Sequence, residues 1–286
     1  MSELKTATVL PDVQSFDDGR QIPINQVGIS KVPYPIQFTS CRTAGEPAQS
    51  TMGTFDMFVS LPSTVKGTHM SRFVQLLRDF RQPLDYCRTI DLCGELRQRL
   101  KAEEASITVR FPFFVKRTAP VTSEPGLLRL DIELSVLVND QEDNDQEDLV
   151  VRVAGPATSL CPCSKEIAAY GAHNQRCQLS ASVRFRDLSD CLSIDELFVT
   201  MEQAASASVY PTVKRIDEKY ITERAYENPK FVEDTVRDLA LRFRSERRIS
   251  WFCCSTENFE SIHQHNAFAR IEMDNDDHIS VSNPRS

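Results

Sequence analysis

From residue 127 to residue 138 the chain alternates between two kinds of side chain. Leu128, Leu130, Ile132, Leu134, Val136 and Val138 are apolar, and Arg129, Asp131, Glu133 and Ser135 stand between them. Successive side chains of a strand point to opposite faces, so a period of two describes a strand with one buried face and one wet face. The same rhythm returns in Phe55, Met57, Val59 and Leu61, in Ile107, Val109, Phe111 and Phe113, and in Cys177, Leu179, Ala181, Val183 and Phe185. Strands of this kind, joined by short links, suit a mainly antiparallel sheet covered on one face or curled into a barrel across subunits.

Between these strands the period changes to that of a helix. Met70, Phe73, Val74, Leu77 and Phe80 form one apolar face, and Leu92, Leu96 and Leu100 form another within a helix expected over 90–103. Ser193 with Glu196 three residues on is a capping box, ahead of a stripe of Ile194, Leu197, Phe198, Met201 and Ala205. A further helix is expected to open at Asn228-Pro229, with proline in its first turn, and to align Val232, Val236, Leu239, Ala240 and Phe243. Residues 214–220 read as a polar connection. Shorter strands are expected near residues 36–40, 149–154, 248–254 and 267–273. The order is strand, strand, helix, helix, strand, strand, then the same again, which is an α+β class with helices on one side of the sheet. The predicted division is an arm (1–33), a first unit (34–139), an acidic loop (140–148), a second unit (149–273) and a flexible tail (274–286).

The 286 residues carry a net charge of -8, which argues against general affinity for nucleic acid or acidic membranes. No stretch approaches the roughly 20 apolar residues of a membrane span. The start lacks the apolar run of an export signal, and the nine cysteines follow no disulfide framework. Cytoplasmic free thiols are the expectation, so clustered cysteines point to metal or catalysis.

One such cluster is Cys161-Pro162-Cys163-Ser164-Lys165-Glu166, followed by His173. Proline and glycine bracket it, and it reads as a shaped loop. Thiolate and imidazole together suit zinc or another first-row metal, although Cys-x-Cys pairs are often only small buried residues. Between the last two expected strands, Glu260, His263 and His265 lie within six residues. Extended chain points the two rings of a His-x-His pair the same way. Asp217 and Glu218 beside Lys214 and Arg215 read as solvated ion pairs, and Glu233 in a first helical turn as a partner of the helix dipole. A zinc nucleobase deaminase would need His-x-Glu upstream of Pro-Cys-x-x-Cys, and that spacing is missing. No Gly-rich phosphate loop is present.

Together these segments resemble a known family. Pro11-Asp12-Val13-Gln14, Lys66-Gly67-Thr68-His69-Met70-Ser71-Arg72-Phe73, the Cys161–Glu166 run, Gly171-Ala172-His173-Asn174-Gln175-Arg176, Asp217-Glu218-Lys219-Tyr220, the Tyr226–Asp234 run and Glu260-Ser261-Ile262-His263 look like GTP cyclohydrolase type IB, over about residues 11–273. The resemblance implies the tunnelling fold, built from two tandem strand-strand-helix-helix-strand-strand units. It implies a homotetramer with active sites at subunit interfaces. The implied reaction hydrolyses GTP to formate and 7,8-dihydroneopterin triphosphate. A divalent metal, zinc or manganese, would be held by Cys161, His173 and Glu218, with Cys163 able to share or exchange the role of Cys161. Glu260 and His263 would act beside it, with Cys161, as catalytic groups, and Glu233 would grip the guanine edge. Lys66, His69, Arg72, Lys165 and Arg176 are the candidates for the triphosphate. A non-catalytic tunnelling-fold protein that binds a purine or pterin is the alternative, and the metal ligands are the feature that separates the two.

Overall fold

The computed structural model describes residues 11–40, 47–141 and 144–275. The alternation at residues 127–138 becomes the inner part of β4 (Pro125–Gln141), in which Leu128, Leu130, Ile132, Leu134, Val136 and Val138 are buried while Leu127, Arg129 and Asp131 face solvent. On one side it pairs with β3 (Glu104–Thr118), which pairs in turn with β2 (Gln49–Leu61) and then β1 (Ile24–Phe38). On its other side lie β5 (Asn144–Leu160), β6 (Asn174–Phe185), β8 (Ile249–Asn258) and β9 (Ala267–Asp274), in that order. A two-residue strand, β7 (Ala207–Ser208), adds to β5. Every pairing is antiparallel, and among the described residues the nine strands make one sheet.

Helices cover the apolar face. Between β2 and β3 come α1 (Met70–Asp79) and α2 (Tyr86–Leu100). Between β5 and β8 come α3 (Pro162–Ile167), α4 (Ile194–Glu202), α5 (Arg215–Glu227) and α6 (Val232–Ser245). One continuous core joins the helical residues Phe73, Leu96, Phe198 and Phe243 to the inward residues of the sheet. At β5 this packing needs a glycine: a Cβ on Gly155 would overlap the Phe198 ring of α4 and lie 2.6 Å from Leu130. The expected order is met in β1-β2-α1-α2-β3-β4, whereas the second half inserts α3 between β5 and β6 and carries α4, β7, α5 and α6 ahead of β8 and β9. The capping box forms as expected, with Glu196 N–H on Ser193 Oγ at 3.2 Å and Ser193 N–H on Glu196 Oε2 at 2.8 Å.

Several boundaries differ from expectation. β1 begins at Ile24, inside the expected arm, because an edge strand largely in solvent, with register shifts after Ile24 and Ile29, shows no clean alternation. The acidic segment is not a loop throughout. The ladder continues through Asn139↔Gln146 to Gln141↔Asn144, since backbone pairing makes no demand on side-chain polarity, and residues 142–143 lie outside the described residues. In α1 the buried side chains are Phe73, Leu76 and Leu77, and Met70 and Val74 face out. Helix α2 starts four residues early, where the Asp85 side chain caps it by accepting from Arg88 N–H. Helix α6 starts at Val232, after the expected Asn228-Pro229, because Asn228 and Lys230 are held by Ala205, Ser206 and Leu160 instead. The expected polar connection at 214–220 is the first half of α5. Its apolar stripe is only Ile221 and Ala225, too short to reveal it, and only Asp217 and Ala225 are buried. Of the expected tail, Asp274 ends β9 and Asn275 is buried, its amide donating to Phe243 O and Ile249 O, and the rest lies outside the described residues.

Candidate active site

The last ladder pair of the β5–β6 hairpin is Leu160↔Asn174, and just beyond it Cys161 N–H donates to His173 O at 3.2 Å. Antiparallel pairing thus makes Cys161 and His173 neighbours, although twelve positions separate them in sequence. The segment between them is partly regular, not the loop expected. Pro162 opens the short α3, where its missing N–H costs nothing. Ser164 knots the hairpin: its N–H donates to Cys161 Sγ (3.4 Å), its Oγ donates to Cys161 O (3.0 Å), and that Oγ accepts from His173 N–H (3.2 Å). Gly171 at φ 118° turns the chain back in a region that side chains rarely enter. Cys161 is half-buried and Cys163 is exposed.

Strand β8 brings a second segment to the same place. Beyond the pair Cys177↔Asn258, Phe259 N–H donates to Arg176 O at 3.0 Å, so Glu260 and Ser261 emerge beside His173. His173 Nδ1 lies 3.0 Å from Gln175 Oε1 and 3.1 Å from Ser261 Oγ. Gln175 Nε2 donates to Glu260 Oε1 at 3.4 Å. His263 and His265 are exposed, with rings stacked 5.1 Å apart at 16°, although the segment that carries them is bent and not the extended chain expected. Gln175 was not among the candidates from sequence. The available signal was an amide continuing the inward series of Cys177 and Leu179, a position where a polar side chain needs a reason.

The helices complete the arrangement. Lys230 N–H donates to Leu160 O (3.0 Å) and Ser159 Oγ to Lys230 O (3.3 Å), which pins the entry of α6 to the end of β5. Glu233 stands exposed in the first turn of that helix. On α5, Ile221 and Ala225 pack with Leu160, Ala172 and Ala207, and Glu218 falls on the same stripe. It is exposed and lies about 12 Å along the helix axis from Tyr226, at ~1.5 Å per residue. Lys165 Nζ donates to Tyr226 O at 2.5 Å and lies 4.4 Å from the Tyr226 ring, so it caps the C-terminal end of α5. Arg176 alternates with Gln175 along β6 and therefore faces the other side of the sheet. Among the described residues no group of three or more His, Cys, Asp and Glu side chains is gathered closely enough to hold a metal ion. Cys161 and His173 are brought together, and Glu218 is not closed onto them in one chain.

The remaining cationic candidates lie elsewhere. Lys66, His69 and Arg72 follow the end of β2. His69 pairs with Asp12 at 3.2 Å, and Arg72 donates to Arg99 O at 3.3 Å. Phe55, Val109, Leu134 and Val151 are in register across the sheet. From that row β2 runs to Leu61 in one direction and β5 runs to Leu160 in the other. The two clusters are therefore separated by roughly 50 Å of strand, at ~3.3 Å per residue. They occupy opposite ends of the sheet.

Comparison with known proteins decides the family. Residues 10–269 match the family model described as type I GTP cyclohydrolase folE2. The chain belongs to this family. It is 44% identical over 274 residues to a GTP cyclohydrolase FolE2 of Paraburkholderia xenovorans, covering 96% of this chain and 98% of that protein. It is 46% identical to a FolE2 of Paraburkholderia phymatum and 45% identical to one of Cupriavidus metallidurans, with the same coverage of both partners. Among solved structures, a hyperthermostable mutant of urate oxidase from Bacillus sp. TB-90 superposes with a TM-score of 0.54 at 8% identity, covering 88% of this chain and 98% of that one. A highly active mutant of the same urate oxidase gives 0.54 at 9% identity, covering 88% and 100%. At such identity the likeness speaks for the fold alone, and that fold is the tunnelling fold, in an α+β arrangement. No helix among the described residues of this folE2 family member is long and apolar enough to cross a membrane.

Proposed function

We propose that this protein is a GTP cyclohydrolase of type IB. It hydrolyses GTP at guanine C8 to formate and 7,8-dihydroneopterin triphosphate, the first step of pterin and tetrahydrofolate synthesis, in the cytoplasm. The observation that carries this reading is the convergence of Cys161, His173 and Glu260 at one sheet end, in a chain of this family.

The donor set fits a divalent metal, zinc or manganese. Cys161 offers a half-buried sulfur, and His173 has Nδ1 engaged by Gln175 and Ser261, which leaves Nε2 as the outward ligand atom. Glu218 supplies a carboxylate on the stripe of α5 that faces the hairpin. When bound, the metal supplies Lewis-acid activation of water near neutral pH.

The chain's own residues account for recognition and proton transfer. The Glu233 carboxylate accepts two hydrogen bonds from guanine N1–H and the 2-amino group. Adenine lacks that donor pair and would leave the carboxylate unpaired. His263 gives a proton to N7 as the imidazole ring of the base opens, general-acid work for which an imidazole side chain is suited. Glu260, held by Gln175, lies beside His173 as a further acid/base group. The triphosphate meets Lys66, His69 and Arg72 of a second copy, because those residues lie too far from Cys161 within one chain. That separation supports sites shared between copies, and a homotetramer is the assembly that the family resemblance implies.

Incubation of the purified protein with GTP and zinc or manganese, then oxidation, should yield pterin fluorescence and stoichiometric formate. Chelation should abolish both and metal should restore them. Absence of pterin with either metal would sink this reading, and tight pterin or purine binding without turnover would support the binding-protein alternative.

A further inference from the structure

We infer that Gln175 is a positioning residue that couples Glu260 to His173 and selects the tautomer of the imidazole. The argument begins with what each group can do. An ionised carboxylate only accepts hydrogen bonds, so the Gln175 side chain must turn its NH2 toward Glu260 Oε1, which lies 3.4 Å away. That choice leaves the amide oxygen facing His173 Nδ1 at 3.0 Å. An amide oxygen only accepts, so the imidazole carries its proton on Nδ1. Ser261 Oγ, 3.1 Å from the same nitrogen, accepts compatibly because a hydroxyl can present a lone pair there. The second nitrogen, Nε2, is then bare.

The position of Gln175 in the fold makes the device rigid. It is the first inward-facing residue of β6, only 9% exposed, in ladder register with Ser159 of β5 and one inward position before Cys177. Its amide cannot turn over without setting acceptor against acceptor at Glu260, and that contact holds the amide oxygen toward His173. One side chain therefore fixes two others. The amide acts through His173 and Glu260, and its catalytic consequence rests on the proposed cyclohydrolase reading. Its effect on the histidine tautomer does not.

The test uses the full-length protein with 15N-labelled histidine, and two substitutions that separate the two bonds. Gln175→Leu removes both. Gln175→Glu keeps an acceptor for His173 Nδ1 and replaces the donor to Glu260 by a second carboxylate oxygen. In the metal-free wild type, the His173 nitrogen shifts should report the Nδ1–H form. Gln175→Leu should move them toward the Nε2–H form and weaken manganese or zinc binding by about 10- to 100-fold, the usual consequence of losing such an outer partner. Gln175→Glu should keep the Nδ1–H form and hold metal affinity within a few-fold. It should lower kcat with little change in KM, because Glu260 is then repelled from its position. Wild-type nitrogen shifts and metal affinity in Gln175→Leu would overturn the inference, as would equal loss of metal affinity in both variants. If the wild type makes no pterin, the cyclohydrolase reading fails, and the nitrogen shifts and metal titrations still judge Gln175.

Discussion

Thr122 and Asp217 are joined twice: the Thr122 N–H and Oγ1 donate to the two carboxylate oxygens of Asp217 at 2.9 and 2.6 Å. Val121 N–H and Lys214 N–H donate to the same carboxylate at 2.9 Å each. The β3–β4 turn of the first unit is thereby fastened to the first turn of α5 in the second. This helix has little apolar surface of its own, so a buried carboxylate does the anchoring that a hydrophobic stripe does elsewhere.

That clamp has a defined pH dependence. Burial alone would raise the Asp217 pKa, but the bonds from Thr122, Lys214 and Val121 outweigh it and hold the carboxyl well below its ordinary value of 3.8. A depressed carboxyl contributes stability that is fully present above the unfolded value and is lost as the pH falls through the folded one. Asp217→Asn should therefore lower the melting temperature by several degrees at pH 7. The gap between variant and wild type should narrow progressively below about pH 3.8. Urea unfolding of both proteins at pH 7 and pH 3 checks this, and an undiminished gap at pH 3 would show that the charge is not what anchors α5.

Gly155 tests the packing of the second unit. A Cβ there meets the Phe198 ring and Leu130, both in the core, so neither neighbour can swing into solvent. Gly155→Val should cost about 1–3 kcal/mol by overpacking, or prevent folding. Gly94 has nothing near its Cβ, so Gly94→Ala should be stabilising by a fraction of a kcal/mol, on the order of 0.5, within α2. Denaturant titration of the pair separates packing from a general intolerance of substitution.

The chemical candidates differ in what they do for the fold. Glu233 is exposed, so Glu233→Ala should change stability by less than about 1 kcal/mol, the scale of a helix-dipole partner. Its effect on kcat/KM with GTP should be about 10⁴-fold if the proposed guanine contact holds, because a site built around that hydrogen-bonded pair would lose its acceptor. Cys161→Ala should abolish pterin formation while circular dichroism stays that of the wild type. A Glu233→Ala protein with most of its turnover would remove the guanine anchor from the proposal.

What could be read from the sequence depended on whether a pattern had a period. The leucines of residues 128–134 and the Ser193–Glu196 box announced β4 and α4 because burial and capping leave regular marks. Helix α5 left none, since its anchor is one carboxylate among many charged residues. Cys161 and His173 could be paired in advance as metal donors by type, but their contact depends on the β5–β6 register. Gln175 is a single amide without a motif, and it acquires meaning only when His173 and Glu260 stand on either side of it. The separation of Arg72 from Cys161 is a property of strand direction. It becomes visible only once the order of the strands is known.

That separation yields the most demanding prediction. If the site joins the Cys161 end of one copy to the Arg72 end of another, Cys161→Ala and Arg72→Ala chains each lack one half and keep the other. Expressed separately, each variant should form little or no pterin from GTP. Co-expressed in equal amounts under two affinity tags and purified as mixed oligomers, they should regain activity. With random assembly, about a quarter of the sites pair two intact halves, which sets the expected recovery at about a quarter of wild-type turnover. Recovery should depend on mixing before assembly, and proteins combined after purification should gain activity only as fast as subunits exchange. If the oligomers contain both chains and still show no recovery, Arg72 and Cys161 do not serve one site. The triphosphate would then have to be held by cations at the Cys161 end of the sheet.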